Sequence, residues 1–551
     1  MSTQQYYAQK ELRKDNPKFS RVRATIESAF YGNNVHEVTS VAEAYQLAKQ
    51  VPGTIVTDVP ILHTQELGLP TGATQLVDNH GRVLGRTASA RHFIDNPKED
   101  PEALAGDLRE DIFRGSKKPF LSATVIVGLD PSFSLKAHLM VPQDAAFNLL
   151  SYILNFQFFD SEAQALYQGS KFYDEGDLYF YCDPDTIDPK YPKGLAIFDA
   201  PHDCAAVFGL RYFGELKKGT LTLAWAVAHR HGYTACHGGE KAFHFKNKPD
   251  KVFAFYGLSG SGKSTLTHAT HGGRYDITVL HDDAFIISRD DGASVALEPS
   301  YFDKTHDYPS GTHETKYMMT VMNCAVTLNE KGQKVLVTED LRNGNGRTIK
   351  SRYTSKNRVD VEKNPITALF WIMKDGSLPP ILKIDDPILA ATMGLTLATK
   401  RTSAENLPEG FDLNTLVIEP FADPFRAYPL AGDYVDFKAL FTKRHAACYV
   451  LNTDAFMGKD IPKELTMSLL ERLADDQDAW QPFGSIKGLS YMPLPGFDVR
   501  FDDQAYRETL AQRFQDRLNW LNAYDKSHPT QTLPSEAGQM LDDIIHELKT
   551  K

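Results

Sequence analysis

Cysteine is scarce in this chain of 551 residues: Cys182, Cys204, Cys236, Cys324 and Cys448 are the five, widely scattered and without a CxxC pair. An odd, dispersed set excludes a disulfide framework or a zinc ribbon and fits reduced thiols. Long apolar runs are missing as well. Every hydrophobic stretch is broken by charge before the roughly 20 residues a spanning helix needs, so no membrane segment is expected. The opening segment MSTQQYYAQKELRKDNPKFSR is polar and has no apolar core of the secretory kind, which makes the cytoplasm the expected location. Positive charge is outweighed, with 60 Lys and Arg against 71 Asp and Glu and a net charge of -11. Such a chain repels phosphate backbones and acidic lipid, and no basic tract offsets this, so neither nucleic acid nor membrane is an expected partner. Repeats and low-complexity tracts are absent too.

What is present is the composition of a folded enzyme. Apolar residues make up 42% and charged residues 24%, and the length exceeds one ordinary core. Up to about residue 240 helical stretches such as 38–51 alternate with β-rich runs such as 119–129. From KVFAFYG at 251 onward, apolar runs alternate with turn clusters, as in DITVLHDDAFII, KVLVTEDL and AACYVLNT. The charged, proline-containing HFKNKPDK sets the expected boundary: an α/β domain over 1–245 on the substrate side and a nucleotide-binding domain over 246–551. The tail from about 504 reads as a helix with Leu510, Phe514, Leu518 and Leu521 on one face.

The sharpest motif is GLSGSGKST at 257–265, which follows an apolar strand and precedes a helix start, as a P-loop does. Backbone N–H groups from Gly257, Leu258, Ser259, Gly260, Ser261, Gly262 and Thr265 can converge on phosphate oxygens. Lys263 neutralises the β/γ charge and Ser264 offers a hydroxyl to Mg²⁺. A nucleoside triphosphate is the expected ligand. One strand later an apolar run ends in Asp282 and Asp283, the placement that presents carboxylates to metal and nucleotide.

GLSGSGKSTL, HDDAF and YFGELKKGTL at 212–221, in this order, resemble the ATP-type phosphoenolpyruvate carboxykinase family. The resemblance is firm from about 210 and thins toward 470. It implies a two-domain α/β fold with the active site in the interdomain cleft. The implied reaction decarboxylates oxaloacetate and phosphorylates the enolate from ATP, giving phosphoenolpyruvate, carbon dioxide and ADP, with Mg²⁺ on the nucleotide and Mn²⁺ at the enolate. Tyr212, Gly214, Glu215, Lys217, Lys218 and Gly219 match the family pattern Y-x-G-E-M-K-K-G, with Leu216 in place of methionine. The resemblance puts Lys218, His237 and Asp283 on Mn²⁺, with His244 a rival to His237; such an N/O set suits that ion. Ser264 and Asp282 serve the magnesium nucleotide.

In LEPSYFDKTHD at 297–307 the family positions Glu298, Lys304 and Thr305 agree, whereas Pro299 and Ser300 replace two glycines and the family cysteine is missing. Lys217, Lys218, Lys263, Lys304 and Arg347 are the implied catalytic cations, with Arg352 contesting the place of Arg347. Arg86, in GRTASAR, and Tyr212 fall on the substrate side. YVLNTDAFMGKDIPKELT at 449–466 resembles the adenine-side segment, retaining Asn452, Thr453, Gly458, Lys459, Ile461 and Thr466, while Asp460 stands where the family has arginine. A monomer or small homo-oligomer is expected. The alternatives are a kinase of the same fold with another small-molecule or protein acceptor, and a catalytically silent ATP sensor.

Overall fold

The computed structural model describes residues 8–13, 16, 19–79, 88–171, 173, 175–258, 260–339, 346–401 and 410–550. Arg86 and Ser259 therefore lie outside the described residues. The chain is mixed α/β and divides into two units. The first holds the described residues up to Val227 together with Ala296–Lys356; the second holds Ala228–Val295 and the described residues from Asn357 onward.

In the first unit an eight-stranded sheet is built around the hairpin of Phe120–Asp130 and Phe133–Pro142, whose register pairs Phe120 with Pro142. Helix Ala146–Asn155 is buried at every position, and its polar residues Asn148, Ser151 and Asn155 are each hydrogen-bonded within the protein. It packs on this hairpin and on a five-stranded sheet, where the Ser151 hydroxyl donates to Thr320 Oγ1 at 2.9 Å. That second sheet runs in the order Tyr301–Lys304, Arg347–Lys350, Met318–Met322, Thr74–Asp78, Thr54–Pro60. Residues 296–356 follow position 245 in sequence yet lie in the first unit, because Met318–Met322 pairs in parallel with Thr74–Asp78, Thr320 opposite Leu76.

The second unit is organised by an eleven-stranded sheet. Its centre is a parallel trio, Lys251–Tyr256, Ala368–Met373 and Ala447–Asn452, in which Phe253 pairs with Ala368 and Ala368 with Ala447. These strands are near-continuous apolar runs because both their faces are covered. Lys251–Tyr256 also pairs antiparallel with Tyr233–His244, which in turn pairs with Asp276–His281 and Ala284–Ser288. Helix Gln504–Ser527 buries Leu510, Phe514 and Leu521; Leu518 is half-buried, and Arg517 is buried beside them, donating to Asp375 at 2.9 Å. A second terminal helix, Ser535–Thr550, packs on it. No helix among the described residues is long and apolar enough to cross a membrane, and the five cysteines are buried as free thiols.

Candidate active site

Strand Lys251–Tyr256 runs into the loop 257–262, and helix Lys263–His268 follows directly. Two glycines make the turn possible: Gly260 and Gly262 adopt φ of 80° and 98°, a left-handed backbone that side chains resist. Gly257 is required for a different reason, since a Cβ there would lie 2.4 Å from Ser261 Oγ and 3.0 Å from Ile372 Cβ. The Ser261 amide donates to the Leu258 carbonyl at 3.0 Å, and the Ser261 carbonyl accepts from Thr453 Oγ1 at 3.0 Å. Thr453 thus ties the 449–466 segment to the loop. Lys263 is buried at the helix start, while Gly260, Ser264 and Thr265 are exposed.

Asp276–His281 ends beside this loop in Asp282 and Asp283. The turn is held by the His281 ring, whose Nδ1 accepts the amides of Asp283 and Ala284, both at 3.1 Å. Asp282 Oδ2 lies 3.2 Å from His268 Nε2, at the far end of the loop helix. Asp283 Oδ1 lies 3.1 Å from His237 Nε2 and 3.9 Å from Lys263 Nζ. His237 Nδ1 is 2.6 Å from the Ala422 carbonyl, and its ring stands edge-on to Phe425. A carbonyl only accepts, so Nδ1 carries the proton, and Nε2 is the nitrogen turned toward Asp283. That carbonyl belongs to a constrained segment, with Phe421 and Ala422 both left-handed at φ of 52° and 55°.

This donor set fits a divalent cation. Two ligands each about 2.1 Å from one ion at a right angle lie about 3 Å apart, close to the His237–Asp283 separation of 3.1 Å. Among the described residues no group of three or more His, Cys, Asp or Glu side chains could hold an ion. His244 has both nitrogens engaged, by Asp250 at 2.8 Å and Thr278 at 2.9 Å. His229 meets Asp436 at 2.6 Å and stacks on Tyr428. Thr466 is buried in helix Lys463–Ala474.

The first unit holds the other positions named from the sequence. Lys217 and Lys218 are buried in helix Phe213–Arg230. Lys217 Nζ pairs with Glu298 Oε1 at 2.9 Å, and Asn155 Nδ2 donates to Glu298 Oε2 at 2.6 Å, so this carboxylate is enclosed by protein groups. Lys218 Nζ is 5.4 Å from the Trp225 ring centre. Gly214 leaves room for the Tyr212 ring, which a Cβ would strike at 2.3 Å. Glu215 pairs with Arg91 at 2.8 Å, both buried. Lys304 and Arg347 are direct antiparallel partners on neighbouring strands, and such pairs share a face of the sheet. The sequence reading passed over His281, His268 and Arg91; the HDD triplet was the available signal for the first, and nothing local marks the other two.

The geometry assembled here accompanies a clear kinship. The sequence profile of the phosphoenolpyruvate carboxykinase family matches residues 115–470, well over half of the chain, and the chain belongs to this ATP-type family. Among curated relatives, it is similar to phosphoenolpyruvate carboxykinase (ATP) of Aeropyrum pernix, 27% identical over 311 residues, which cover 54% of this chain and 61% of that protein. It is also similar to the glycosomal phosphoenolpyruvate carboxykinase (ATP) of Trypanosoma brucei brucei, 38% identical over 61 residues, or 11% of this chain and 12% of that one. The chain thus spans about three fifths of the length of the first of these relatives.

Proposed function

We propose that this chain is an ATP-dependent phosphoenolpyruvate carboxykinase, converting oxaloacetate and ATP into phosphoenolpyruvate, carbon dioxide and ADP in the cytoplasm. The observation that carries the reading is the convergence of His237 and Lys263 on one oxygen of Asp283, at 3.1 and 3.9 Å, beside the 257–265 loop. A loop that gathers phosphate and a carboxylate–imidazole pair that gathers a cation are both needed for phosphoryl transfer to an enolate.

In this reading the loop amides and Lys263 hold the β- and γ-phosphates, and Thr466 lies on the nucleotide side. Arg86 and Tyr212 orient oxaloacetate, where a planar, bidentate guanidinium suits a carboxylate. Lys304 and Arg347 neutralise charge on the transferring phosphoryl group. Lys217, through its ion pair with Glu298, sets the helix turn that carries Lys218. Mg²⁺ held by Ser264 and Asp282, and Mn²⁺ held by Lys218, His237 and Asp283, would supply charge neutralisation and Lewis acidity toward the enolate oxygen.

The test is phosphoenolpyruvate formation from oxaloacetate and ATP with Mg²⁺ plus Mn²⁺, run beside Lys218→Ala and Lys263→Ala. Metal-dependent product that both substitutions abolish supports the reading; nucleotide binding without product overturns it. One observation favours a second reading, a kinase of the same fold with another acceptor. Where the family has glycines, Ser300 is buried and its hydroxyl donates to the Leu154 carbonyl at 2.7 Å, so this segment is filled and tied down. ATP consumption that depends on an added acceptor other than oxaloacetate would decide for it.

A further inference from the structure

A second charged centre lies at the other end of the loop helix. Lys241, on strand Tyr233–His244, is fully buried. Its Nζ donates to the carbonyls of Leu266 at 2.7 Å and Ala269 at 3.2 Å and lies 2.9 Å from His271 Nε2. An ammonium has three protons and no lone pair, so these three acceptors satisfy it. His271 Nε2 is therefore the unprotonated nitrogen. Its Nδ1–H is left to donate to Glu471 Oε1, 2.9 Å away. Glu471 sits on helix Lys463–Ala474, which also carries Thr466.

The arrangement has a mechanical reading. A helix of six residues is far below the roughly 12 to 15 that hold themselves in water. Its last carbonyls have no partner within the helix, and a cation at this end is favoured by the peptide dipoles. The strand lies close against it: a Cβ on Gly239 would fall 2.1 Å from Thr267 Oγ1. The chain then turns back through His271, Gly272 and Gly273, all left-handed at φ of 50°, 66° and 76°, which brings the imidazole beneath Lys241. Burying an ammonium among Phe243 and its neighbours is costly, and burial pushes Lys241 down to about 7. An apolar side chain would fill this place more cheaply, so the charge points to a task beyond packing.

We propose that Lys241 is a positioning residue for nucleotide binding: with His271 and Glu471 it pins the end of the loop helix to helix Lys463–Ala474, fixing Lys263 relative to Thr466. The inference rests on the reading of 257–265 as a phosphate loop. It involves no group that touches the nucleotide. The Lys241–His271–Glu471 chain joins three segments distant in sequence, each of which also bears a candidate site residue: His237, Lys263 and Thr466.

The test measures the dissociation constant of MgADP by titration calorimetry on the full chain, with amide hydrogen exchange of residues 263–269 as a second readout. Lys241→Met is expected to weaken MgADP by at least about tenfold, the loss of a charge-assisted anchor, and to speed exchange in 263–269 while strands 368–373 and 447–452 keep their protection. A purely structural role would lower the fraction of folded protein and leave the dissociation constant unchanged; a folded Lys241→Met variant that binds within twofold of the parent overturns the proposal. Should that variant fail to fold, His271→Leu decides, because it leaves the ammonium its two carbonyls and removes the bridge to Glu471: weaker binding supports the proposal, unchanged binding overturns it. Lys263→Ala separates the two levels. If it binds MgADP as the parent does, the phosphate-loop reading itself falls; if it alone loses affinity, only the role of Lys241 falls.

Discussion

On one oxygen of Asp283 an imidazole and an ammonium converge, and the carboxylate charge is what both require. Asp283→Asn keeps the shape and removes the charge. We expect it to weaken Mn²⁺ binding by more than about tenfold, read by the electron paramagnetic resonance signal of free Mn²⁺, because an amide is a poor ligand beside a neutral histidine; equal Mn²⁺ affinity in the two proteins would exclude Asp283 from the metal site. Glu240 makes the opposite case. Burial raises its carboxyl to about 8, the Ser294 hydroxyl lowers it, and Glu362 adds to the rise. Unfolded, this group ionises near the ordinary glutamate value; folded, it keeps its proton to about 8. Between those values the native state binds more protons, so stability falls as pH rises. Glu240→Gln should therefore raise the melting temperature at pH 9, by roughly 2 to 8 °C, and leave it nearly unchanged at pH 4.5, which calorimetric scans at the two pH values check.

The loop helix and its neighbouring strand are fitted at the level of single carbon atoms. Gly239→Ala drives a methyl group into Thr267, and the helix must shift; weaker MgADP binding and a lower melting temperature are expected together. Gly272→Ala meets nothing within 4 Å but must hold φ near 66°, so it should cost only about 1 kcal/mol and leave nucleotide affinity alone. Equal effects of the two substitutions on MgADP affinity would contradict this. What could be read from sequence follows the same logic. Strand 251–256, the glycine turn, Lys263 and the aspartate pair are contiguous and carry their own context. Lys241, His268 and His271 acquire meaning only through the register between Tyr233–His244 and its neighbours, which no local pattern specifies. Arg517 falls on the apolar face of its helix, in line with Leu510, Phe514 and Leu521, and nothing local explains a charge there, because its partner Asp375 comes from a segment over a hundred residues away.

At the scale of the molecule, that same pair is a stress point. Asp375 is fully buried; burial works against its charge, but Arg517 and the Ser377 side chain and amide outweigh it and hold the carboxyl below the usual range. The stability it lends is complete above the ordinary carboxylate value and is lost as pH falls through the depressed one. Arg517→Met strands a buried charge, which costs about 3 to 5 kcal/mol; urea unfolding should show a lower midpoint, and the loss should shrink as the pH is lowered and Asp375 takes up a proton.

The parallel pairing of Leu76 with Thr320 also places a demand on synthesis. A ribosome adding about 5 to 20 residues per second leaves strand Thr74–Asp78 waiting roughly 10 to 50 seconds for that partner. Meanwhile a strand whose Leu76 and Val77 belong in the core has an open edge on the nascent chain, where holding chaperones find their clients. Premature release anywhere before residue 350 would then yield a species that aggregates instead of a smaller working protein.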